Sequence, residues 1–187
     1  MTYASDSNLP TSKDVLDFWF SAGSKMWFTK DDAFDQSIRD RFLTLHGKAA
    51  GGGIDEWATG AEGTLALIIV LDQFSRNLHR NSPLAFATDE KALGLSQGLI
   101  AKRQDIEFPV NARLWIYMPF QHSEDLEIQE RSIALFEAID DPENLRYAHV
   151  HLDIIQKFGR FPHRNEVLGR TSSVEELKFL AAGGFAG

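Results

Sequence analysis

One stretch constrains this chain more than any other: Leu65-Ala-Leu-Ile-Ile-Val-Leu-Asp-Gln-Phe-Ser-Arg-Asn-Leu-His-Arg80. Its first half is apolar on every side, and a helix of that kind is buried all round. It therefore belongs at the centre of the fold. It is too short to span a bilayer, which takes about 20 such residues. Asp72, Gln73, Arg76 and Asn77 follow without a break in helical period. Asp72 and Arg76 are four apart, as are Gln73 and Asn77, so each pair shares a face. Polar groups carried into the interior need partners. His122-Ser-Glu-Asp125 and Arg160-Phe-Pro-His-Arg-Asn165 offer them, which predicts a polar pocket inside a helical protein.

Helix signals surround this stretch. Thr11 and Asp14 have capping-box spacing ahead of Val15, Leu16, Phe18, Trp19 and Phe20, an aromatic load best read as core packing. From Asp31, residues Phe34, Ile38, Phe42 and Leu45 make one amphipathic stripe. The Gly51-Gly52-Gly53 run stops it. Ser82 and Pro83 predict a helix start, with a restart near Thr88 and Asp89. Pro109 opens another helix, which Pro119 is expected to disturb. Ser123 is the expected cap of the next, running to about Ile139. Asp141-Pro142 launches a helix that Gly159 ends, and Pro162 starts a short turn. Ser172 with Glu175 predicts the last capping box. No stretch alternates like a strand. The expectation is an all-α chain of about eight helices with short joints, stacked as antiparallel hairpins.

With 187 residues, 43% of them hydrophobic, one domain over 1–187 can bury a sizeable core, with residues 1–10 as a loose N-terminal segment. The absence of Cys excludes disulfides, thiolate zinc sites and cysteine nucleophiles. The first residues have neither a basic region nor an apolar run, so no signal peptide is expected. The cytoplasm is then the expected location. A net charge of -8 opposes non-specific binding to nucleic acid and to anionic membranes, both of which need a positive field.

Four polar groupings could carry chemistry. Asp72, Gln73, Arg76 and Asn77 suit either an ion pair with supporting amides or one wall of a ligand site. In His122-Ser-Glu-Asp125, the cap and the acidic first turn explain Ser123, Glu124 and Asp125, whereas His122 beside Glu124 could form a metal pair or an acid–base pair. That spacing is shared with zinc deaminases, but their Cys partners are absent. His149 and His151 point to different faces and make poor co-ligands, so no metal and no cofactor is expected. Arg160, His163, Arg164 and Asn165 gather around a helix start, where backbone N–H groups and guanidinium forks suit an anion. Pairing of these Arg with Asp72, Glu124 or Asp125 is the structural alternative.

Val15-Leu-Asp-Phe-Trp-Phe20, Leu71-Asp-Gln-Phe-Ser-Arg-Asn77, Tyr117-Met-Pro-Phe-Gln-His-Ser-Glu-Asp125, Phe158-Gly-Arg-Phe-Pro-His-Arg-Asn165 and Leu168-Gly-Arg170 together resemble a bacterial family known as domain of unknown function 924. The resemblance runs from about Val15 to Leu180. It implies an all-α fold similar to tetratricopeptide-like superhelices, and no established activity. Ser75 stands where many members carry Pro.

The leading functional expectation is a binding module with an interior, Arg-bearing pocket for a small anionic molecule or a peptide carboxylate. Its expected ligand-binding residues are Asp72, Gln73, Arg76, Asn77, His122, Glu124, Asp125, Arg160, His163, Arg164 and Asn165. A hydrolase using His122 or His163 as acid–base group with Glu124 or Asp125 as partner is the first alternative. A structural polar core beneath a protein–protein surface is the second.

Overall fold

The computed structural model describes residues 9–185; the remainder of the N-terminal segment expected to be loose lies outside the described residues. Their regular structure is entirely helical, with no strand among the described residues. They form two compact units, one of positions 9–80 with 84–105, the other of 81–83 with 106–185.

The first unit is built on the apolar stretch. Helix α1 (Ser12–Ala22) starts at the expected Thr11–Asp14 capping box. A single turn, α2 (Ser24–Trp27), follows. Helix α3 (Asp32–Ala50) is capped by Asp31 and buries Phe34, Ile38, Phe42 and Leu45, the expected stripe. The central rod is continuous but not uniform. It comprises α4 (Ala61–Ile68), a π-helical segment (Ile69–Phe74) and the short α5 (Ser75–Leu78). Every residue from Leu65 to Leu71 is at most 1% exposed. Helices α1 and α3 and the later α6 (Asp89–Ala101) pack around this rod. Phe18, Phe42 and Phe74 meet with ring centroids 4.9 to 6.0 Å apart, so the aromatic load is core, as expected. Gly63 is required where α4 crosses the preceding 3-10 turn, because a Cβ there would lie 2.2 Å from the Trp57 carbonyl oxygen.

The π turn is not foreshadowed by the sequence pattern. Bonds spaced five residues apart widen the helix and change which carbonyls need outside donors. Here the Leu71 carbonyl accepts from Thr88 Oγ1, and the Asp72 carbonyl accepts from Arg76 Nη1 at 2.6 Å. Thr88 is thereby drawn away from helix capping: it sits at the N-cap of α6 with no capping bond.

The second unit contains α7 (Val110–Gln121), α8 (Leu126–Glu137), α9 (Pro142–Phe158) and α10 (Val174–Ala181), with a 3-10 turn at Pro162–Arg164. Helix α7 packs on α8 and α8 on α9. Pro119 does not break α7. It sits two residues from the helix end, where one backbone bond of the last turn is forgone. Three boundaries depart from expectation. The Ser82-Pro83 signal yields only a 3-10 turn, Pro83–Ala85. The cap of α8 is Asp125, whose carboxylate accepts from the Ile128 N–H, while Ser123 Oγ accepts from the Asp125 N–H. The cap of α10 is Ser173 with Glu176, one residue later than Ser172 with Glu175. Both registers have the capping spacing, and the observed one lets Glu176 also meet Arg160. Asp141 and Gly159 begin and end α9 as expected, Gly159 in the left-handed region at φ 68°.

Candidate functional site

In the first unit the polar end of the central rod is closed on itself. Asp72 is fully buried, and Arg76 Nη1 lies 3.2 Å from its carboxylate. Arg76 also donates to both oxygens of Asp89, each at 3.0 Å. Gln73 Nε2 donates to the other Asp72 oxygen. Asn77 turns to α3, donating to Asp35 at 2.7 Å, and Arg80 forks onto the same carboxylate. Burial works to raise the Asp35 pKa, but Arg80 and Asn77 outweigh it and hold the group below its usual range. Asp35 and Asp89 are partners that sequence reasoning missed. Both sit in acidic first helical turns, a position that explains an Asp without any further role.

The same unit buries His46, which is 6% exposed, beside His79, with ring centroids 5.2 Å apart. Burial, reinforced by the neighbouring His79, pushes the His46 imidazole down to about 4.

In the second unit Glu124 is the hub. Its oxygens accept from Arg170 Nη1 at 2.6 Å and Nη2 at 3.0 Å, and from the Phe161 N–H at 2.8 Å. Burial would raise its pKa; the Arg170 and Phe161 bonds overcome this and lower it. Arg170 also donates to Asn165 Oδ1, and the fully buried Asn165 donates to Ser172 Oγ. Asp125 serves as helix cap. His122 is the C-cap residue of α7. His163 packs against the rings of Phe161 and Phe185, and the Arg164 guanidinium stands 4.5 Å over Phe161. His151 is buried, its Nδ1 2.7 Å from the Tyr147 carbonyl, while His149 is exposed. Of the expected residues, Asp72, Gln73, Arg76 and Asn77 thus belong to the first unit, and the seven from His122 to Asn165 to the second.

Arg160 is doubly held by Glu176, Nε at 2.7 Å and Nη2 at 2.9 Å, and donates to the Thr171 carbonyl. These Arg160 bonds, working against burial and helped by the Ser173 N–H, hold Glu176 at about 2. The pair forms one side of a cleft of about 460 Å³ lined by Lys157, Phe158, Arg160, Ser173, Glu175 and Glu176. Lys157 Nζ sits 5.0 Å from the Phe158 ring centre and 5.9 Å from that of Phe179. Among the described residues no carboxylate lies within ion-pair distance of it. Lys157 escaped sequence reasoning because a lysine in the last turn of a helix is ordinary there.

Among the described residues no three His, Asp or Glu are grouped to hold a metal ion, and no helix is long and apolar enough to cross a membrane.

The chain is similar to a solved structure of a protein of unknown function, ATU0120, from Agrobacterium tumefaciens. The two share 40% identity and a TM-score of 0.89 over 92% of this chain and 97% of that one. No curated protein matches. The family model for bacterial proteins of unknown function, DUF924, matches residues 15–184, in accord with the motifs noted above. The chain belongs to the DUF924 family.

Proposed function

We propose that this chain is a binding module, a stacked-hairpin fold of tetratricopeptide-like kind, whose ligand presents a carboxylate to the cleft at the end of α9. The consecutive packing of α7, α8 and α9 supports the stacked reading. One observation carries the ligand class: Lys157 lines the cleft as a cation held over aromatic rings and, among the described residues, in no ion pair, next to an Arg160 that Glu176 already neutralises. An ammonium held over aromatic rings keeps its charge available to an incoming anion. The lining carries two acidic groups beside its two basic ones, which favours a singly charged carboxylate over a dianion. In this reading the clusters around Arg76 and Glu124 hold helices in place, and ligand contact falls to Lys157 and Arg160. Acid–base hydrolysis by His122, Glu124 or His163 has less support, because both Glu124 oxygens are engaged and its pKa is lowered.

Thermal melts test this. A ligand that binds only the folded state raises the melting temperature with concentration. Sodium acetate and diglycine should stabilise the wild type beyond sodium chloride of equal ionic strength, and Lys157→Ala should lose that increment. Equal responses of the two proteins would remove the site. Larger responses to phosphate or sulfate than to carboxylates would contradict the ligand class.

A further inference from the structure

Four charged side chains line the cleft at the end of α9, and they are not equally committed. Arg160 and Glu176 are spent on each other. Arg160 gives Nε and Nη2 to the Glu176 carboxylate, which also accepts from the Ser173 N–H. Lys157 and Glu175 line the same cleft, yet neither forms an ion pair among the described residues, with each other or with any third group. Both stand close to one pair of rings. Lys157 Nζ lies 5.0 Å from the Phe158 ring centre and 5.9 Å from that of Phe179. Glu175 precedes Phe179 by four residues on α10, so the two share a face of that helix. The rings of Phe158 and Phe179 are 5.2 Å apart. One uncommitted cation and one uncommitted anion are thus set around a single aromatic pair.

We propose that the cleft takes a zwitterion, a free amino acid or a short peptide, with its carboxylate on Lys157 and its ammonium on Glu175. The inference rests on the carboxylate reading of the same cleft and adds the second charge. A ligand with a carboxylate alone would face Glu175 as an unrelieved like charge, the kind of repulsion that excludes a wrong partner. An ammonium alone would meet Lys157 in the same way. A zwitterion meets each group with the opposite sign. Its net charge of zero also suits a lining in which two acids balance two bases. Lys157 and Glu175 do not close on each other across the cleft, which leaves both available to a molecule carrying the complement of each. Both residues are exposed, so each contact is of the modest, screened kind. Binding is therefore weak, and its selectivity comes from the two charges together.

Shift titrations of the isotopically labelled chain at fixed ionic strength test this with three probes. Diglycine carries both charges, N-acetylglycine only the carboxylate and glycinamide only the ammonium. Diglycine should bind the wild type at least about threefold more tightly than either of the others, the factor that one exposed ion pair supplies. Glu175→Gln should leave the circular dichroism spectrum unchanged, since the residue is exposed. It should bind diglycine about threefold more weakly and N-acetylglycine no more weakly than the wild type does. Glycine separates the two sources: affinity equal to that of diglycine assigns a free amino acid, lower affinity a peptide, and either supports the zwitterion. Equal wild-type affinity for N-acetylglycine and diglycine overturns the proposal and leaves the carboxylate cleft standing, as does unchanged diglycine affinity in Glu175→Gln. If neither diglycine nor N-acetylglycine gives saturable shifts, the carboxylate reading falls and takes this inference with it.

Discussion

Arg76 grips Asp89 with both terminal nitrogens, 3.0 Å to each carboxylate oxygen, while the same side chain caps the carbonyl of Asp72 across the π turn. One residue thereby joins the widest turn of the central helix to the start of α6. Arg76→Ala should lose about 3–5 kcal/mol, because it strands Asp72 without its cation in the interior. Arg76→Lys should recover only part, since an ammonium cannot supply the fork. Urea melts of Arg76→Ala, Asp89→Asn and the double variant check this. Strong non-additivity is the expected outcome; additive losses would show that the pair is not coupled.

The contrast between legible and illegible features follows from range. Burial of Leu65 to Leu71, the caps at Thr11, Asp31 and Asp141 and the stop at Gly159 are local properties, decided by residues within a turn or two. The π segment is decided by donors far along the chain, Thr88 among them, and hydrophobic pattern carries no trace of it. The partners of Arg76 and Glu124 include residues 13 and 46 positions away, so local spacing leaves the pairing open. The α10 cap shows the same limit at short range: Ser172 and Ser173 have equivalent spacing to an acid, and the contact of Glu176 with Arg160 and the Asn165 bond to Ser172 separate them.

Glu124 ties the start of α8 to the Phe161 turn through Arg170 and a backbone N–H. Glu124→Gln keeps the shape but replaces charge-assisted bonds by neutral ones, and should cost about 1–3 kcal/mol. Arg170→Ala should cost a similar amount, and the two losses should not add. Chemical denaturation of the two single variants and the double variant measures both.

His46 predicts a pH dependence on the mild side of neutrality. Its folded pKa of about 4 lies below the ordinary 6.5, so between those values the unfolded chain binds the extra proton. Stability therefore falls as pH drops from 6.5 to about 4 and gains nothing further from this group below that. The contribution is on the order of 2–3 kcal/mol. His46→Leu should flatten the stability profile over that window; an unchanged slope would assign the dependence to other groups.

Glu176 acts in a more acidic window. Its carboxyl, ordinarily near 4.5, is held at about 2 chiefly by Arg160. Its stabilisation is complete above 4.5 and is lost as pH falls toward 2. Arg160→Met should remove this acid-sensitive component and leave the window above pH 5 with the wild-type slope. Thermal melts from pH 2 to 7 compare the two proteins.

The reading of the α9–α10 cleft stands or falls on one titration. Diglycine added to isotopically labelled protein should move amide resonances of Lys157 to Arg160 and Ser173 to Glu176 in a saturable manner, with spectra elsewhere unchanged. In Lys157→Ala the same addition should produce shifts that need at least about tenfold more ligand to saturate. Saturable shifts confined to residues around Arg76 or Glu124, or equal affinity in wild type and Lys157→Ala, would contradict the account.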